Sequence, residues 1–320
     1  MRTRTAGICS DLMHVIALFG PTGVGKTDVA IALAARLRDR GEEPLAVSAD
    51  ALQVYRGLEL LSGAATREEQ ERLEHRLLSF QDPSDTFSAG EYAALAHREI
   101  DEALRQNRRP IVVGGTGLYL QAALTDLELR PPPDLAVRAR IQGELAARGP
   151  EALHDELAAH APDAAASIDP RDRTRVARAL ELLEMGEEPA PTGSESRLWT
   201  ARLRHPTLLA GLTMERETLY ARIDARVEKM IEAGAEEEVR RADAAGASRT
   251  ARAALGFEEL LNGDVEGMKR RTRNYAKRQL TWMRRLEGVH EIDLTERSAE
   301  LAADEIARIL AAQPGEARTN

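Results

Sequence analysis

The sequence predicts an α/β fold: a parallel sheet flanked by helices and interrupted by an all-helical insertion. Three observations lead there. Short apolar runs alternate with helix-length segments through the first 130 residues. Residues 135–186 then carry helical pattern only. Strand composition returns at 205–214, followed again by a long helical segment.

The elements follow in order. "HVIALFG" (14–20) reads as a buried strand, and it passes through "PTGVGKT" into the helical "DVAIALAARL". "PLAVSAD" (44–50) is a second strand, ending in Asp50. "SAGEYAALAHREIDEALRQ" (88–106) opens with Ser88 and Glu91 at capping-box spacing and is a helix. "RPIVVGGTG" (109–117) is a third buried strand running into a glycine turn. Strands and helices alternating at these lengths imply parallel pairing with helices on both faces.

At "RPPPD" (130–134) the pattern changes. The helical segments "LAVRARIQGELAARG", "EALHDELAAHA" and "RTRVARALELLEMG" follow, with Gly149 and Gly186 as stops. "EEPAPTGSES" (187–196) reads as a hinge, then "HPTLLAGLTM" resumes the sheet and "RETLYARIDARVEKMIEAG" forms a helix. The expected division is a core of 14–130 and 205–312 around an insertion of 131–204, with disorder at 1–13 and 313–320.

Composition narrows the class. One cysteine, Cys9, allows no internal disulfide and fits a reducing compartment. The scattered histidines offer no zinc spacing. No apolar run approaches the ~20 residues of a membrane span, so a cytoplasmic protein is expected. Residues 1–12 show no periodicity, which leaves Met1 and Met13 both open as the start.

"GPTGVGKT" matches G-x-x-x-x-G-K-[ST] between a strand and a helix, the context that makes this phosphate-loop motif specific. Gly20, Gly23 and Gly25, with Pro21, Thr22 and Val24 between them, let the backbone turn its N–H groups onto a di- or triphosphate. The next helix adds its positive end, Lys26 a point charge, and the Thr27 hydroxyl a Mg²⁺ ligand. The fold is therefore expected to be P-loop NTPase-like, with nucleotide or ATP among the ligands such a loop holds. The strand "IVVGG" ends in glycine, and no carboxylate follows until Asp126. That counts against a motor or switch ATPase and leaves kinases and enzymes that hold a departing pyrophosphate. Asp50 lies on the same rim of the sheet as the loop. It is either a general base for an acceptor nucleophile or the cap of a turn.

The chain carries a net charge of −9, yet between Lys269 and Arg285 it has eight Lys or Arg and no Asp or Glu. At about 100° per residue, Tyr275, Ala276, Gln279, Leu280, Trp282, Met283 and Leu286 share one arc. Arg273, Lys277, Arg278, Arg284 and Arg285 lie on the other. The aromatics are thus expected to pack inward, and the outer face to be wholly cationic with phosphates as counter-charge. Arg171, Arg173, Arg175 and Arg178 form a smaller cluster in the insertion. Two basic surfaces suit a folded nucleic acid.

In this combination the chain resembles the tRNA dimethylallyltransferase (tRNA isopentenyltransferase, IPP transferase) family over about 14–312. The matching pieces are "GPTGVGKT", "SADALQVYRGLEL", "HRLLSFQDPSDTFSAGEY", "VVGGTGLYLQAAL", "DPRDRTRVARALELLEMG", "ERETLYARIDARVEKM", "LGFEEL" and "TRNYAKRQLTWMRR". The resemblance implies transfer of a dimethylallyl group from its diphosphate to N6 of the adenosine 3′ of the tRNA anticodon, by a monomer. It implies Asp50 as general base, with Thr22 and Arg226 on the departing pyrophosphate. It also implies tRNA contacts at Asp50, Ala51, Leu52, Gln53, Gly117, Thr174, Arg175, Arg178, Gly256 and Phe257, to which the cationic face adds Lys277, Arg278 and Arg284. A buried adenine would have to be flipped outward to reach Asp50. The zinc-finger extension of eukaryotic members is absent, as in the bacterial type.

The chain departs from the family pattern at four places. Ala51 stands for the usual Ser, and "LSGAAT" (61–66) replaces Gly-Thr-Ala-Lys-Pro and loses its Lys. Phe257 replaces Tyr and Met283 replaces Phe. Three rival readings remain: a small-molecule P-loop kinase, a nucleotide-dependent RNA-binding protein, and a prenyltransferase acting on free adenine nucleotides.

Overall fold

The computed structural model describes residues 14–127, 134–189 and 202–312. The segments expected to be disordered, most of the Pro-rich junction and most of the 187–196 hinge lie outside these residues. The described residues fall into two compact units, 14–127 with 202–312, and 134–189.

The first unit is built on six parallel strands: β1 Val15–Phe19, β2 Glu43–Ala49, β3 His75–Arg76, β4 Arg108–Gly114, β5 Thr207–Thr213 and β6 His290–Asp293, in the spatial order β3-β2-β4-β1-β5-β6. The helices are α1 Lys26–Arg38, α2 Glu59–Ser62, α3 Arg67–Arg72, α4 Ala89–Arg105 and α5 Gly117–Leu124 before the second unit. After it come α9 Arg216–Glu232, α10 Ala235–Ala244, α11 Arg249–Arg252, α12 Phe257–Leu261, α13 Val265–Met283 and α14 Ala299–Ala312.

The central strands are apolar throughout because both faces are covered. Register sets Ile16 beside Ile111 and Leu208, and Ala46 beside Ile111. These side chains form one core cluster with Leu33 and Leu37 of α1 and Ile306 of α14. The alternate residues Ala17, Val47 and Val112 are also buried and face the other layer, where α4 and α5 meet β2 and β4. The capping box expected at Ser88 is present, with the Ser88 side chain and Glu91 each accepting the other's backbone N–H.

The second unit holds α6 Leu135–His160, α7 Pro162–Ala166 and α8 Arg173–Glu184 around Ile141, Leu145, Leu157, Val176 and Leu180. Gly149, at φ 81°, breaks the helical path of α6 just before Pro150, where the sequence places a stop.

At the edge of the first unit the two chain segments that lead to and from the second lie side by side. Thr125 and Leu203 form an antiparallel bridge, and Arg204 N–H donates to the Leu124 carbonyl at 2.9 Å. The Arg204 guanidinium pairs with Asp101 and Asp126 at 3.0 Å each.

Candidate active site

The phosphate loop leaves β1 at Gly20, where a Cβ would sit 2.6 Å from the Leu212 carbonyl oxygen, so no other residue fits. Gly25, at φ 103°, turns the chain into α1. Lys26 opens the helix and its ammonium donates to the Gly20 and Pro21 carbonyls at 3.0 Å each. Burial first, and Arg226 after it, lower its pKa to about 8 against the opposing pull of Asp50. Among the described residues the hydroxyls of Thr22 and Thr27 have no protein hydrogen-bond partner.

Asp50 follows β2 directly, one residue past the Ala49–Gly114 rung. Its Oδ1 accepts the Leu52 N–H at 3.0 Å, so the turn-capping reading is correct as far as it goes. Its carboxylate also acts on the ionisation of Lys26, Arg226, Tyr92, Tyr119 and Tyr275, all of which lie within its electrostatic reach. Burial, more than Asp50, pushes the Tyr275 hydroxyl up to about 12. Arg226 comes from α9, on the same side of the helix as the buried Leu219 and Ile223. Burial holds its pKa below the usual value, against Asp50, yet a guanidinium stays charged at neutral pH. Gln53 and Arg226 both donate to the Gly63 carbonyl, at 3.3 and 3.4 Å, and Gln53 in turn accepts from Ser48 Oγ at 3.0 Å.

The helix predicted at 271–286 is α13; its aromatics pack inward as expected, and the face they lie on meets the glycine turn after β4. Tyr275 and Thr116 share a hydrogen bond of 3.1 Å between their hydroxyls. The Trp282 ring fills the space of any Cβ on residue 117 and stands edge-on to Phe19 at 6.1 Å. The outer face corrects the sequence reading, because it is not wholly cationic in effect. Arg273 pairs with Asp224 at 2.7 Å, Lys269 with Glu228 at 2.8 Å and Arg271 with Glu259 at 2.8 Å. Carboxylates from α9 and α12 thus pair three of the cations in its first half. Lys277 and Arg284 stay exposed with no ion pair among the described residues, and Arg278 lies over the Tyr275 ring at 5.6 Å.

The other residues expected to touch tRNA are dispersed in character. Ala51 and Leu52 are partly exposed beside Asp50. Gly117 is required by the packing of Trp282, and Gly256, at φ 95°, by its turn and by Met268. Phe257 is fully buried beneath Arg252, so its side chain offers nothing to a partner. In the second unit Thr174 and Arg175 are exposed on the first turn of α8. Arg175 pairs with Asp172 at 3.5 Å and Arg178 with the buried Glu181 at 3.3 Å.

Sequence reasoning missed Gln279 and Gly63. Gln279 accepts the Thr22 N–H and donates to the Gly115 carbonyl, both at 2.8 Å. Its signal was a polar residue on an otherwise apolar arc. Gly63 gave none beyond its place in the atypical "LSGAAT".

A family profile described as IPP transferase matches residues 53–286. The chain belongs to the IPP transferase family. Among relatives in this family, a protein from Thermobifida fusca named tRNA dimethylallyltransferase is 38% identical over 311 residues, covering 91% of this chain and 94% of the relative. One of the same name from Bacillus velezensis is 40% identical over 293 residues, covering 88% and 91%. The full-length tRNA isopentenylpyrophosphate transferase of Bacillus halodurans superposes with a TM-score of 0.66 at 34% identity, over 93% of this chain and 96% of that one. A eukaryotic dimethylallyltransferase acting on tRNA gives 0.75 at 26% identity, over 95% and 81%.

Proposed function

We propose that this IPP transferase is a tRNA dimethylallyltransferase. It moves the dimethylallyl group of dimethylallyl diphosphate to N6 of the adenosine 3′-adjacent to the anticodon and releases diphosphate. The observation that carries the reading is one carboxylate, Asp50, within electrostatic reach of two partly buried cations, Lys26 and Arg226, beside a phosphate loop.

The arrangement suits the chemistry. The N6 lone pair attacks the allylic carbon, the carbon–oxygen bond breaks toward the diphosphate, and Asp50 takes the N6 proton. Charge grows on the leaving oxygens, where Lys26, Arg226, the Thr22 hydroxyl and the N–H groups of Gly23, Gly25, Lys26 and Thr27 stabilise it, the Val24 N–H being donated to the Pro21 carbonyl at 3.3 Å. No phosphoryl group moves, so no water-orienting residue is needed. Thr27 and the diphosphate oxygens would hold Mg²⁺, which when bound adds positive charge to the leaving group. The unpartnered Thr27 hydroxyl, and the lack of a three-residue acid or histidine cluster among the described residues, suit an ion held largely by phosphate and water. Lys277, Arg278 and Arg284 lie on the outer face of α13, and Thr174 and Arg175 on α8, as the tRNA-gripping groups. A monomer is part of this proposal, and a tRNA substrate suits the cytoplasm. No described helix is long and apolar enough to cross a membrane.

The test is to incubate the protein with Mg²⁺, dimethylallyl diphosphate and unmodified tRNA, digest the RNA and weigh the nucleosides. Adenosine heavier by one dimethylallyl group is the expected result. Modification of free AMP with none of tRNA would replace tRNA as the acceptor, and phosphoryl transfer from ATP to a small molecule in place of prenyl transfer would make the chain a kinase.

A further inference from the structure

We infer that Gln279 is a positioning residue that sets the geometry of the phosphate loop from the far end of the chain. Its amide is only 7% exposed and both ends are used: Oε1 accepts the Thr22 N–H and Nε2 donates to the Gly115 carbonyl. The β1–β4 ladder runs as far as Phe19 beside Gly114. Beyond it the two strands part, one into the phosphate loop and the other into the glycine turn. Gln279 bridges them there, taking the place of a further rung with a side chain that is 257 residues from Thr22 in sequence.

The surrounding contacts leave little freedom. Tyr275, Gln279 and Trp282 lie at i, i+4 and i+7 on one face of α13 and meet Thr116, Gly115 and Gly117 respectively. Gln279 also reaches the phosphate loop, through Thr22. Residue 115 has to be glycine, because a Cβ there would overlap Gln279 Nε2. The task needs one donor and one acceptor on the same planar group at this length. A Glu would accept from Thr22 but oppose the Gly115 carbonyl with a second acceptor, and a Met would serve neither partner.

The consequence bears on the diphosphate. The Thr22 N–H, committed to Gln279, is withdrawn from the N–H groups that face phosphate, and the peptide before Thr22 is fixed in orientation. The Thr22 hydroxyl, free of protein partners, is thereby held at a constant place in the loop. Gln279 touches neither substrate and acts through Thr22. This inference rests on the loop binding a diphosphate and not on which acceptor is prenylated.

The test compares Gln279→Met and Gln279→Glu with the unaltered protein by calorimetric titration with inorganic pyrophosphate and Mg²⁺. Binding of tRNA and the unfolding temperature are measured alongside. Gln279→Met loses both hydrogen bonds, and release of the Thr22 N–H, the one that acts on the loop, predicts pyrophosphate binding weaker by about tenfold. The KM for dimethylallyl diphosphate rises in step, while tRNA affinity is unchanged. Gln279→Glu, which keeps shape and the Thr22 acceptor, weakens pyrophosphate further by bringing a negative charge to the loop. Unaltered pyrophosphate affinity in either folded variant would overturn the inference. So would equal losses for pyrophosphate and tRNA accompanied by a lower unfolding temperature, which would mark Gln279 as merely structural. A protein that binds pyrophosphate normally but prenylates no tRNA would count against the proposed function and leave this test intact.

Discussion

The Arg226 guanidinium rests on the Gly63 carbonyl, Nη2 lying 3.4 Å from the oxygen in space that a Cβ on residue 63 would occupy. Gly63 closes α2 at φ 60°, and the start of that short helix is tied down by the buried Glu238, which accepts the Leu60 and Leu61 N–H groups at 2.9 and 3.0 Å. The segment that lacks the lysine of the family pattern therefore cradles an arginine from another helix. Gly63→Ala should push Arg226 out of place and lower kcat/KM for dimethylallyl diphosphate roughly tenfold to a hundredfold. Steady-state kinetics at saturating tRNA checks it, and an unchanged ratio would mean the guanidinium has room to relocate without loss.

Asp50 is within electrostatic reach of both cations, and replacing it removes the proposed proton acceptor. Asp50→Ala should slow prenyl transfer by at least ~10²-fold while tRNA affinity changes little. Single-turnover rates with prebound tRNA separate the two effects. Normal turnover would remove Asp50 from the mechanism.

Lys26 titrates near pH 8 because burial disfavours its charged form. Below that pH the ammonium is present and attracts diphosphate. Above it the free enzyme has lost the proton that the complex needs, so affinity falls by up to about tenfold per pH unit. Stability moves the opposite way. From about 8 to 10.5 the unfolded lysine holds a proton that the native one does not, and the unliganded fold gains as pH rises. Pyrophosphate titrations from about pH 7 to 9.5 on the unaltered protein and on Lys26→Met isolate the effect, since the ligand's own ionisation appears in both. Parallel profiles would show that Lys26 does not titrate there.

Lys277 and Arg284 have no protein counter-charge among the described residues, whereas Arg273 is bound to Asp224. Replacing both free cations by Met should weaken tRNA binding and flatten its dependence on log salt by about one unit for each phosphate left without its cation. Arg273→Met should leave that slope alone and lower stability. Equal slopes in all three proteins would remove α13 from the tRNA interface.

Much of this was legible in the residues. The phosphate loop and Asp50 are local patterns between strong periodic signals, and Ser88 with Glu91 announces its helix from a three-residue spacing. What escaped were elements too short for periodicity, such as the four residues of α2 and the two of β3. Contacts between distant segments escaped as well. Nothing near Arg273 in sequence points to Asp224, 49 residues away, and the arc that held Gln279 gave no hint of Thr22. Phe257 was expected at the tRNA because its motif is, yet a ring with no exposed surface belongs to the core.

The bridge between Thr125 and Leu203 means that the chain departs from the sheet unit and returns to it about 5 Å apart, the spacing of neighbouring antiparallel strands. A guest domain joined through adjacent points imposes almost no loop-closure penalty on its host. The sheet and its phosphate loop need not sense how long the intervening polypeptide is, or what it folds into. A short Gly-Ser link from residue 126 to residue 202 would then leave a core that folds unaided, and the helical module becomes a part that can be lengthened, exchanged or removed while the diphosphate chemistry stays where it is.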